Sequence, residues 1–200
     1  WRAQRWAVLA DVLLPPGSDT DNLVSVSKFL SYVLRHNPAA AGVTLDAGGW
    51  VGIDTLLVAM AEHGRPIDRA AVDRLVTRSG KQRFEVRDER IRAAQGHSIH
   101  VDLGLASSAP PAVLYHGTVE RFLGRIRTEG LRPKGRTHVH LSADRETATA
   151  VGARRGDPVV LAIDTVGMHQ RGAQFYLAAN GVWLADHVAP EWITELRPPD

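Results

Sequence analysis

Cysteine is absent from the chain, which has 200 residues. Without cysteine the protein has no disulfide bond, no thiolate zinc site and no cysteine nucleophile. This absence is typical of a reducing compartment, and we expect a cytoplasmic protein. Long apolar runs are lacking too, because Arg, Asp, Gly or Pro interrupts each run before the roughly 18 residues that a transmembrane helix needs. We therefore expect no membrane-spanning segment.

A large excess of charge of either sign is also missing, since 24 basic residues are balanced by 22 acidic ones. The net charge of +2 is far below that of a nonspecific nucleic-acid binder. The small basic surplus lies in residues 22–100, which contain 11 Lys or Arg and 8 Asp or Glu. If the partner is an anion, we expect a few individually placed arginines to bind it. The glycine-rich signatures of Rossmann and P-loop nucleotide sites are absent as well.

Prolines and small residues mark one internal boundary, at residues 106–112. The run Ala-Ser-Ser-Ala-Pro-Pro-Ala is typical of a linker between a lobe of residues 22–105 and a lobe of residues 113–200. In the preceding residues 1–21, Asp11 interrupts the apolar stretch and no small-residue cleavage site follows. We therefore expect this segment to be a leader of unknown role rather than a signal peptide.

The first lobe shows the apolar period of helices. Ser25 is a candidate N-cap for a first helix, which we expect to end before Pro38. Asp54 and Asp68 are candidate caps for two more helices, and the period then changes to two over residues 84–93, which predicts a hairpin. Three short helices followed by a hairpin resemble a winged-helix module, a fold often used to bind nucleic acid.

The second lobe alternates short strand patterns with two helical ones. Strands are predicted at residues 112–116, 138–141, 158–164, 181–184 and 191–196, and helices at about residues 119–129 and 143–152. This order predicts a mixed α/β lobe, so that the whole chain belongs to the α+β class.

A polar cluster in the second lobe, at residues 136–142, includes the predicted strand 138–141, and alternate side chains of a strand share one face. Arg136, His138 and His140 would then point together, and three interpretations stay open. The two histidines can bind zinc or iron with the help of a third ligand. The arginine and the histidines can instead bind an anion such as phosphate, or the histidines can be structural. The metal interpretation is weaker because the motif contains no carboxylate.

Other polar clusters also have both structural and functional interpretations. Arg35 and His36 end the first helix, where cations stabilise the helix dipole whatever else they do. Arg92 lies in the predicted hairpin and is compatible with an ordinary surface strand position. His116 ends a strand and precedes Gly117, which lets the backbone approach a ligand closely.

Six motifs identify a family more specifically together than any of them does alone, because they occur in one fixed order. They are SKFLSYVLRH at 27–36, IRAAQGHS at 91–98, LYHGT at 114–118, RTHVHLS at 136–142, VGARRGDPVVL at 151–161 and NGVWL at 180–184. In this order they resemble the RNA 2′-phosphotransferase family, whose members use NAD to remove the 2′-phosphate left at a tRNA splice junction. The resemblance covers about residues 24–195.

The resemblance implies a winged-helix RNA lobe followed by an ADP-ribosyltransferase-like lobe that binds NAD as co-substrate, without a metal. It implies that the RNA 2′-phosphate attacks the nicotinamide ribose, expels nicotinamide and becomes ADP-ribosylated. A ribose hydroxyl then attacks the phosphorus, which gives RNA with a 2′-OH and ADP-ribose 1″,2″-cyclic phosphate. The expected partners are RNA bearing a 2′-phosphate and NAD, and we expect a monomer.

The resemblance also assigns residues, in a site expected between the lobes. The family's four catalytic positions fall, by motif, on Arg35, His36, Arg92 and Arg136. The arginines are implied to bind the 2′-phosphate, and the histidine to hydrogen-bond it or transfer a proton. Contacts with NAD are implied for His97, Ser98, His116, Gly117, Thr118, His140, Ser142 and Asn180. Two alternatives stay open: a mono-ADP-ribosyltransferase acting on phosphorylated nucleic-acid ends or small molecules, and a non-catalytic RNA-binding protein.

Overall fold

The structure is a computed structural model, and it describes residues 19–78 and 82–196. These residues form helices and short strands, with the strands grouped in three antiparallel sheets. This arrangement is compatible with the predicted α+β class. Of the expected leader at residues 1–21, residues 1–18 lie outside the part of the chain that the structure describes. In the described part of the chain, each helix is too short or too polar to span a bilayer.

The first helix, α1, spans Asp19–Arg35. The prediction that it starts at Ser25 is wrong, because no glycine or proline lies between Gly17 and this serine to stop the helix. Its predicted end is confirmed. The helix stops just before Pro38, which disfavours the helical conformation in the residue that precedes it.

Two more helices follow: α2 spans Ile53–Glu62 and α3 spans Arg69–Arg78. The prediction of Asp68 as a cap is confirmed, since its side chain accepts a hydrogen bond from the backbone N–H of Ala71 at 2.6 Å. The prediction for Asp54 is wrong, because the N-cap of α2 is Gly52 and Asp54 lies within the first turn. An acidic side chain is still favourable there, near the positive end of the helix dipole.

The first sheet is built around the predicted hairpin. Its strands are β1 at Val51–Gly52, β2 at Phe84–Arg87 and β3 at Arg90–Ala93. Strand β3 lies in the centre, and Glu85 on β2 pairs with Arg92 on β3. The turn is formed by Asp88 and Glu89, which have positive φ values of 48° and 56°. The hairpin is therefore confirmed, and the winged-helix module stays a prediction.

Two further sheets follow the predicted linker. Their strands are β4 at Val113–Val119, β5 at Val139–Leu141, β6 at Pro158–Asp164, β7 at Phe175–Leu177, β8 at Trp183–Ala185 and β9 at Ile193–Leu196. One sheet has the order β4-β6-β9 and the other the order β5-β8-β7. Tyr115 and Ser142 form a bridge between them, with backbone hydrogen bonds of 2.8 and 2.7 Å. This bridge places the middle of β4 next to the end of β5.

Three helices pack around these strands: α4 at Leu123–Glu129, α5 at Arg145–Gly152 and α6 at Thr165–Gln170. The sequence pattern missed α6 and β7, because six and three residues are too short to show a period. Asp144 caps α5 by accepting a hydrogen bond from the backbone N–H of Thr147 at 2.6 Å. This cap fixes the start of the helix beside β4.

Two apolar clusters stabilise the chain. The first contains Leu30 and Phe84, and the second contains Leu114 and Phe175, all of which are almost inaccessible to solvent. The segment 106–112 is not detached from the second cluster. It reaches β7, where the backbone N–H of residue 108 donates to the carbonyl of residue 175 at 2.8 Å. The lobe boundaries at this segment stay a prediction.

Candidate functional site

A cavity of about 570 Å³ is lined by residues from both sides of the predicted linker. His36, directly after α1, contributes from the first part of the chain. The other lining residues come from β4, α4, β5, the loops beside them and the segment after α5, which contributes Arg155. The volume lies in the range of pockets that bind small ligands and cofactors. The cavity is therefore a candidate binding site.

Its lining is strongly cationic. The basic residues at its wall are Arg125, Arg132, Lys134, Arg136 and Arg155, and four histidines join them: His36, His116, His138 and His140. Among the described residues that line the cavity, the single acid is Glu129. This carboxylate forms an ion pair with Arg125, with 2.9 Å between Oε2 and Nε. The positive charge left over favours an anionic ligand.

Arg35 does not line the cavity itself, but it lies close to Arg136, which does, although the two come from opposite sides of the linker. Burial, followed by repulsion from Arg136 and Arg83, lowers the pKa of Arg35 to about 10. Burial also lowers the pKa of Arg136, and Arg155 and Arg154 lower it further. Within the described residues, neither Arg35 nor Arg136 has a carboxylate at ion-pair distance. An anion bound between these guanidinium groups would relieve their repulsion.

His36 is held by Ser98. Nδ1 of His36 lies 2.9 Å from Oγ of Ser98, and the backbone N–H of Ser98 donates to the carbonyl of Arg35 at 2.9 Å. Partial burial lowers the pKa of His36, with further contributions from Arg35 and Arg136. The imidazole is therefore neutral at pH 7, and Nε2 is the ring nitrogen left for a ligand. Ser98 itself does not line the cavity; the side-chain contact that it makes is with His36.

His140 is linked to Arg136. Nη1 of Arg136 donates to Nδ1 of His140 at 2.9 Å, so the proton of the neutral imidazole is on Nε2. Burial, followed by Arg136, lowers the pKa of His140 to about 3. Arg35 also approaches this histidine: a methyl group added at Gly96 would lie 3.8 Å from Cδ of Arg35 and 3.6 Å from Cε1 of His140. Three predicted site residues are thus brought together here.

His116 is oriented by the backbone of β5. Its Nδ1 donates to the carbonyl oxygen of His140 at 3.0 Å, which leaves Nε2 as an acceptor at the cavity wall. Burial is the main cause that lowers the pKa of His116, and Arg155, Arg136 and Lys134 act in the same direction. In a cationic cavity, this neutral acceptor suits a ligand that carries hydroxyl or amide donors as well as negative charge.

Gly117 has a packing role that the sequence did not indicate. A Cβ atom there would lie 1.8 Å from the carbonyl oxygen of Ala148 in α5 and 2.8 Å from the backbone nitrogen of Gly152. The missing side chain thus lets α5 approach β4, which accounts for the glycine without a ligand. Thr118 follows it and lines the cavity. The backbone of Ser142 joins the two sheets, as described above.

Arg92 is engaged away from the cavity wall. Its Nε and Nη2 donate to Oε2 of Glu85 at 3.2 and 2.9 Å, and its Nη1 donates to the carbonyls of Gly48 and Leu103 at 3.3 and 3.1 Å. The guanidinium also lies 4.4 Å from the ring centroid of Trp50. These contacts explain why Arg92 is buried, and phosphate binding by this residue stays a prediction.

His97 and Asn180 also lie outside the cavity lining. His97 is buried, and its carbonyl accepts the backbone N–H of Thr137 at 3.1 Å, a contact between the two parts of the chain. Burial, with repulsion from Arg35 and Arg92, lowers the pKa of His97 to about 4. Asn180 accepts the backbone N–H of Val182 at 3.3 Å through its own side chain, as in an ordinary turn. Contacts of either residue with NAD stay predictions.

His138 lines the cavity together with His140, as expected for alternate positions. Its Nδ1 lies 3.0 Å from Oγ1 of Thr137, and its ring meets Tyr176 edge-on at 5.8 Å between centroids. In the part of the chain that the structure describes, no group of three His, Asp or Glu side chains is arranged to bind a metal ion. Oδ1 of Asp186 lies 3.8 Å from Nε2 of His138. The anion interpretation has the direct support of Arg136, which contacts His140.

Several cavity residues were missed by the sequence analysis. Arg155 belongs to a motif that was identified without a role, and its signal was the Arg-Arg pair just before Gly156. Lys134 lies 4.4 Å above the ring of Phe122, which also lines the cavity. A loop cation and an aromatic residue that are twelve positions apart give no periodic signal, so only the fold shows that they meet.

These observations define a class: a protein with a cationic, histidine-lined pocket suited to an anionic ligand. A family model described as "RNA 2'-phosphotransferase, Tpt1 / KptA family" matches residues 21–187, and the chain belongs to this family. It is 56% identical to a probable RNA 2'-phosphotransferase of Streptomyces coelicolor. The alignment spans 173 residues and covers 86% of this chain and 95% of that protein. A protein of Rhodopirellula baltica with the same description is 51% identical, and the alignment covers 86% of this chain and 95% of that protein. One from Pseudomonas aeruginosa is also 51% identical, with 88% of this chain and 99% of that protein covered. The resemblance based on six motifs is thereby confirmed.

Proposed function

We propose that this protein removes an internal 2′-phosphate from RNA with NAD as its second substrate. The products are RNA with a 2′-OH, ADP-ribose 1″,2″-cyclic phosphate and nicotinamide. The observation that carries the proposal is the pair Arg35 and Arg136, two partly buried guanidinium groups that have no carboxylate partner among the described residues, with Arg136 close enough to lower the pKa of Arg35. The description of the family supports an RNA 2′-phosphate as the ligand, and we propose that this pair binds it.

The cavity is suited to NAD in both charge and hydrogen bonding. The cations Lys134 and Arg155 suit its pyrophosphate, and the free Nε2 of His116 suits a ribose hydroxyl or the nicotinamide amide. The volume of about 570 Å³ is large enough for a nucleotide-sized ligand. When bound, NAD supplies the anomeric carbon that accepts the phosphate and the ribose 2″-hydroxyl that later displaces the RNA.

The arginines hold the phosphate in both steps. A phosphate dianion is already a nucleophile, so the protein must desolvate it and orient it rather than deprotonate it. Guanidinium groups stay protonated under these conditions, even for Arg35 with a pKa of about 10. As the P–O2′ bond breaks, negative charge grows on the phosphate oxygens, where fixed donors stabilise it most effectively. Arg35 and Arg136 provide such donors, and we propose the same role for Arg92.

His36 transfers a proton in the second step. Its neutral state at pH 7 and its free Nε2 allow it to accept the proton of the attacking 2″-hydroxyl. The departing RNA 2′-oxygen must gain a proton to become the 2′-OH. His36 or water supplies this proton, so no net proton is lost in the step. Arg35, directly before His36 in the chain, keeps the phosphate within reach of the same imidazole.

The proposal is tested by the products formed from an RNA trinucleotide with one internal 2′-phosphate. We expect nicotinamide, the 2′-OH trinucleotide and the cyclic phosphate to form in equal amounts, only when NAD is present. The same trinucleotide without the 2′-phosphate is the control and should release no nicotinamide. ADP-ribosylated RNA that persists would indicate a mono-ADP-ribosyltransferase instead. Absence of NAD consumption would indicate a non-catalytic RNA-binding protein.

A further inference from the structure

An exposed aromatic side chain lies next to the catalytic candidate His36. Tyr32 precedes His36 by one turn of α1, and 44% of it is exposed. The two ring centroids are 6.3 Å apart, with an angle of 43° between the planes. Tyr32 does not line the cavity, so it lies outside the wall beside His36. It is also absent from the buried cluster on the other face of α1, so core packing does not explain an aromatic residue here.

The ring of Tyr32 is held in place although it is exposed. Nδ2 of Asn37 donates to the tyrosine hydroxyl at 3.1 Å. The Tyr32 carbonyl accepts the backbone N–H groups of His36 and Asn37 at 2.9 and 3.1 Å, which fixes the end of the helix relative to the ring. A ring restrained in this way loses little conformational entropy when a ligand stacks on it.

The charge beside Tyr32 is positive. Lys28, Tyr32 and His36 are spaced at i, i+4 and i+8 of one helical face, so a cation, an aromatic ring and an imidazole form a line that leads to the cavity. Lys28 is exposed and has no ion-pair partner among the side chains that the structure describes. A line of this composition matches single-stranded RNA, in which bases stack on aromatic rings and phosphates bind cations.

We infer that Tyr32 is a stacking platform for a nucleobase adjoining the phosphorylated nucleotide, with Lys28 bound to the neighbouring backbone phosphate. The inference rests on the proposed function, because the 2′-phosphate near His36 places the adjoining nucleotide beside Tyr32. The site would bind any base, since stacking is tolerant of sequence. It would distinguish a flexible, unstacked RNA junction from a continuous duplex, whose bases are already stacked.

The test compares RNA trinucleotides that carry a central 2′-phosphate and either normal bases or one abasic neighbour, on the 5′ or the 3′ side. Binding is measured by fluorescence anisotropy without NAD, so that no turnover occurs. For the wild-type protein, we expect loss of one neighbouring base to weaken binding about tenfold or more. Tyr32→Ala should weaken binding of the intact RNA by the same factor and make the protein indifferent to the abasic substitution.

Two control variants separate stacking from a general effect on the fold. Tyr32→Phe keeps the ring and should restore most of the discrimination against the abasic RNA. Val58→Ala removes an apolar side chain of α2 that is more exposed than Tyr32, at 59%, and should leave binding unchanged. Thermal unfolding of each variant verifies that it is folded.

The inference is overturned if Tyr32→Ala still discriminates between intact and abasic RNA as the wild type does. It is also overturned if this variant weakens binding of NAD alone, because the ring would then contact the nucleotide substrate. Failure of the proposed function has a different signature: the wild-type protein would bind the RNA equally well with and without its 2′-phosphate.

Discussion

Arg136 donates a hydrogen bond to Nδ1 of His140, four residues further along the chain, at 2.9 Å. The contact fixes the tautomer of His140 and places a positive charge beside it. Burial and this charge together lower the pKa of His140 to about 3, so the imidazole is neutral throughout the physiological range. The arginines and the lysine therefore give the cavity its positive charge, and His36, His116 and His140, whose pKa values are all lowered, serve as neutral hydrogen-bonding groups.

The first prediction concerns this pair. Arg136→Ala removes the second largest cause of the shift, so the pKa of His140 should rise while remaining below the ordinary value of 6.5, because burial persists. NMR titration of the histidine ring measures the change. Arg125→Ala is the matched control, since Arg125 lines the same cavity but is neutralised by Glu129. An unchanged pKa in Arg136→Ala would show that the contact does not exist in solution.

The second prediction assigns Ser98 to the positioning of His36. Loss of one hydrogen bond in Ser98→Ala should reduce kcat about three- to tenfold, because the imidazole loses its fixed orientation. Ser98→Thr keeps a hydroxyl and should recover much of the rate. If Ser98→Ala instead raises KM for NAD at constant kcat, Ser98 contacts NAD as the family resemblance implies, and the positioning role is refuted.

The third prediction separates structure from catalysis at Arg92. Its side chain and that of Glu85 are 11% and 22% exposed, so removal of either leaves a charge with little access to water. We expect Arg92→Ala to lower the free energy of unfolding by about 3 kcal/mol, in addition to any loss of activity. Chemical denaturation measures this effect.

Glu85→Gln is the companion variant for Arg92. It keeps a hydrogen-bond acceptor and frees the arginine from its ion pair. If Arg92 binds the 2′-phosphate, this variant should be less stable yet retain activity. Equal loss of activity in Glu85→Gln and Arg92→Ala, with both proteins folded, would mean that the ion pair itself is required for turnover.

The fourth prediction tests the contact of β4 with α5. Gly117→Ala should lower the free energy of unfolding by about 2 kcal/mol or more, because its Cβ would lie 1.8 Å from the Ala148 carbonyl oxygen. Gly124→Ala is the control, since no atom lies within 4 Å of a Cβ at that helical position. This control should change stability by less than about 1 kcal/mol, in the stabilising direction. Equal stability of the two variants would contradict the packing role.

Local patterns were sufficient to predict much of the site. His138 and His140 line one cavity as predicted, although β5 begins only at Val139, and the Pro38 signal correctly ended α1 beside His36. Both inferences depend on neighbours in sequence, for which period and stop signals are reliable. The hairpin of β2 and β3 was predicted for the same reason.

Contacts between distant residues could not be predicted in this way. Arg92 was assigned to phosphate by motif, but its ion pair with Glu85 depends on the register of the hairpin. Gly117 was expected to let the backbone approach a ligand, and the close packing of α5 against its empty Cβ position was not predicted. The contribution of Arg155 to the cavity depends on how the end of α5 packs against β4. In each case the three-dimensional packing decides which of several chemically plausible partners the residue meets.

The most direct test of the central claim is whether Arg35 and Arg136 recognise the 2′-phosphate. Affinities are measured for two RNA trinucleotides that differ only in carrying a 2′-phosphate or a 2′-OH. The wild-type protein should prefer the phosphorylated RNA by about a hundredfold, and Arg136→Gln should lose at least tenfold of this preference with little effect on the 2′-OH RNA. An undiminished preference in Arg136→Gln, or no preference in the wild type, would contradict the account.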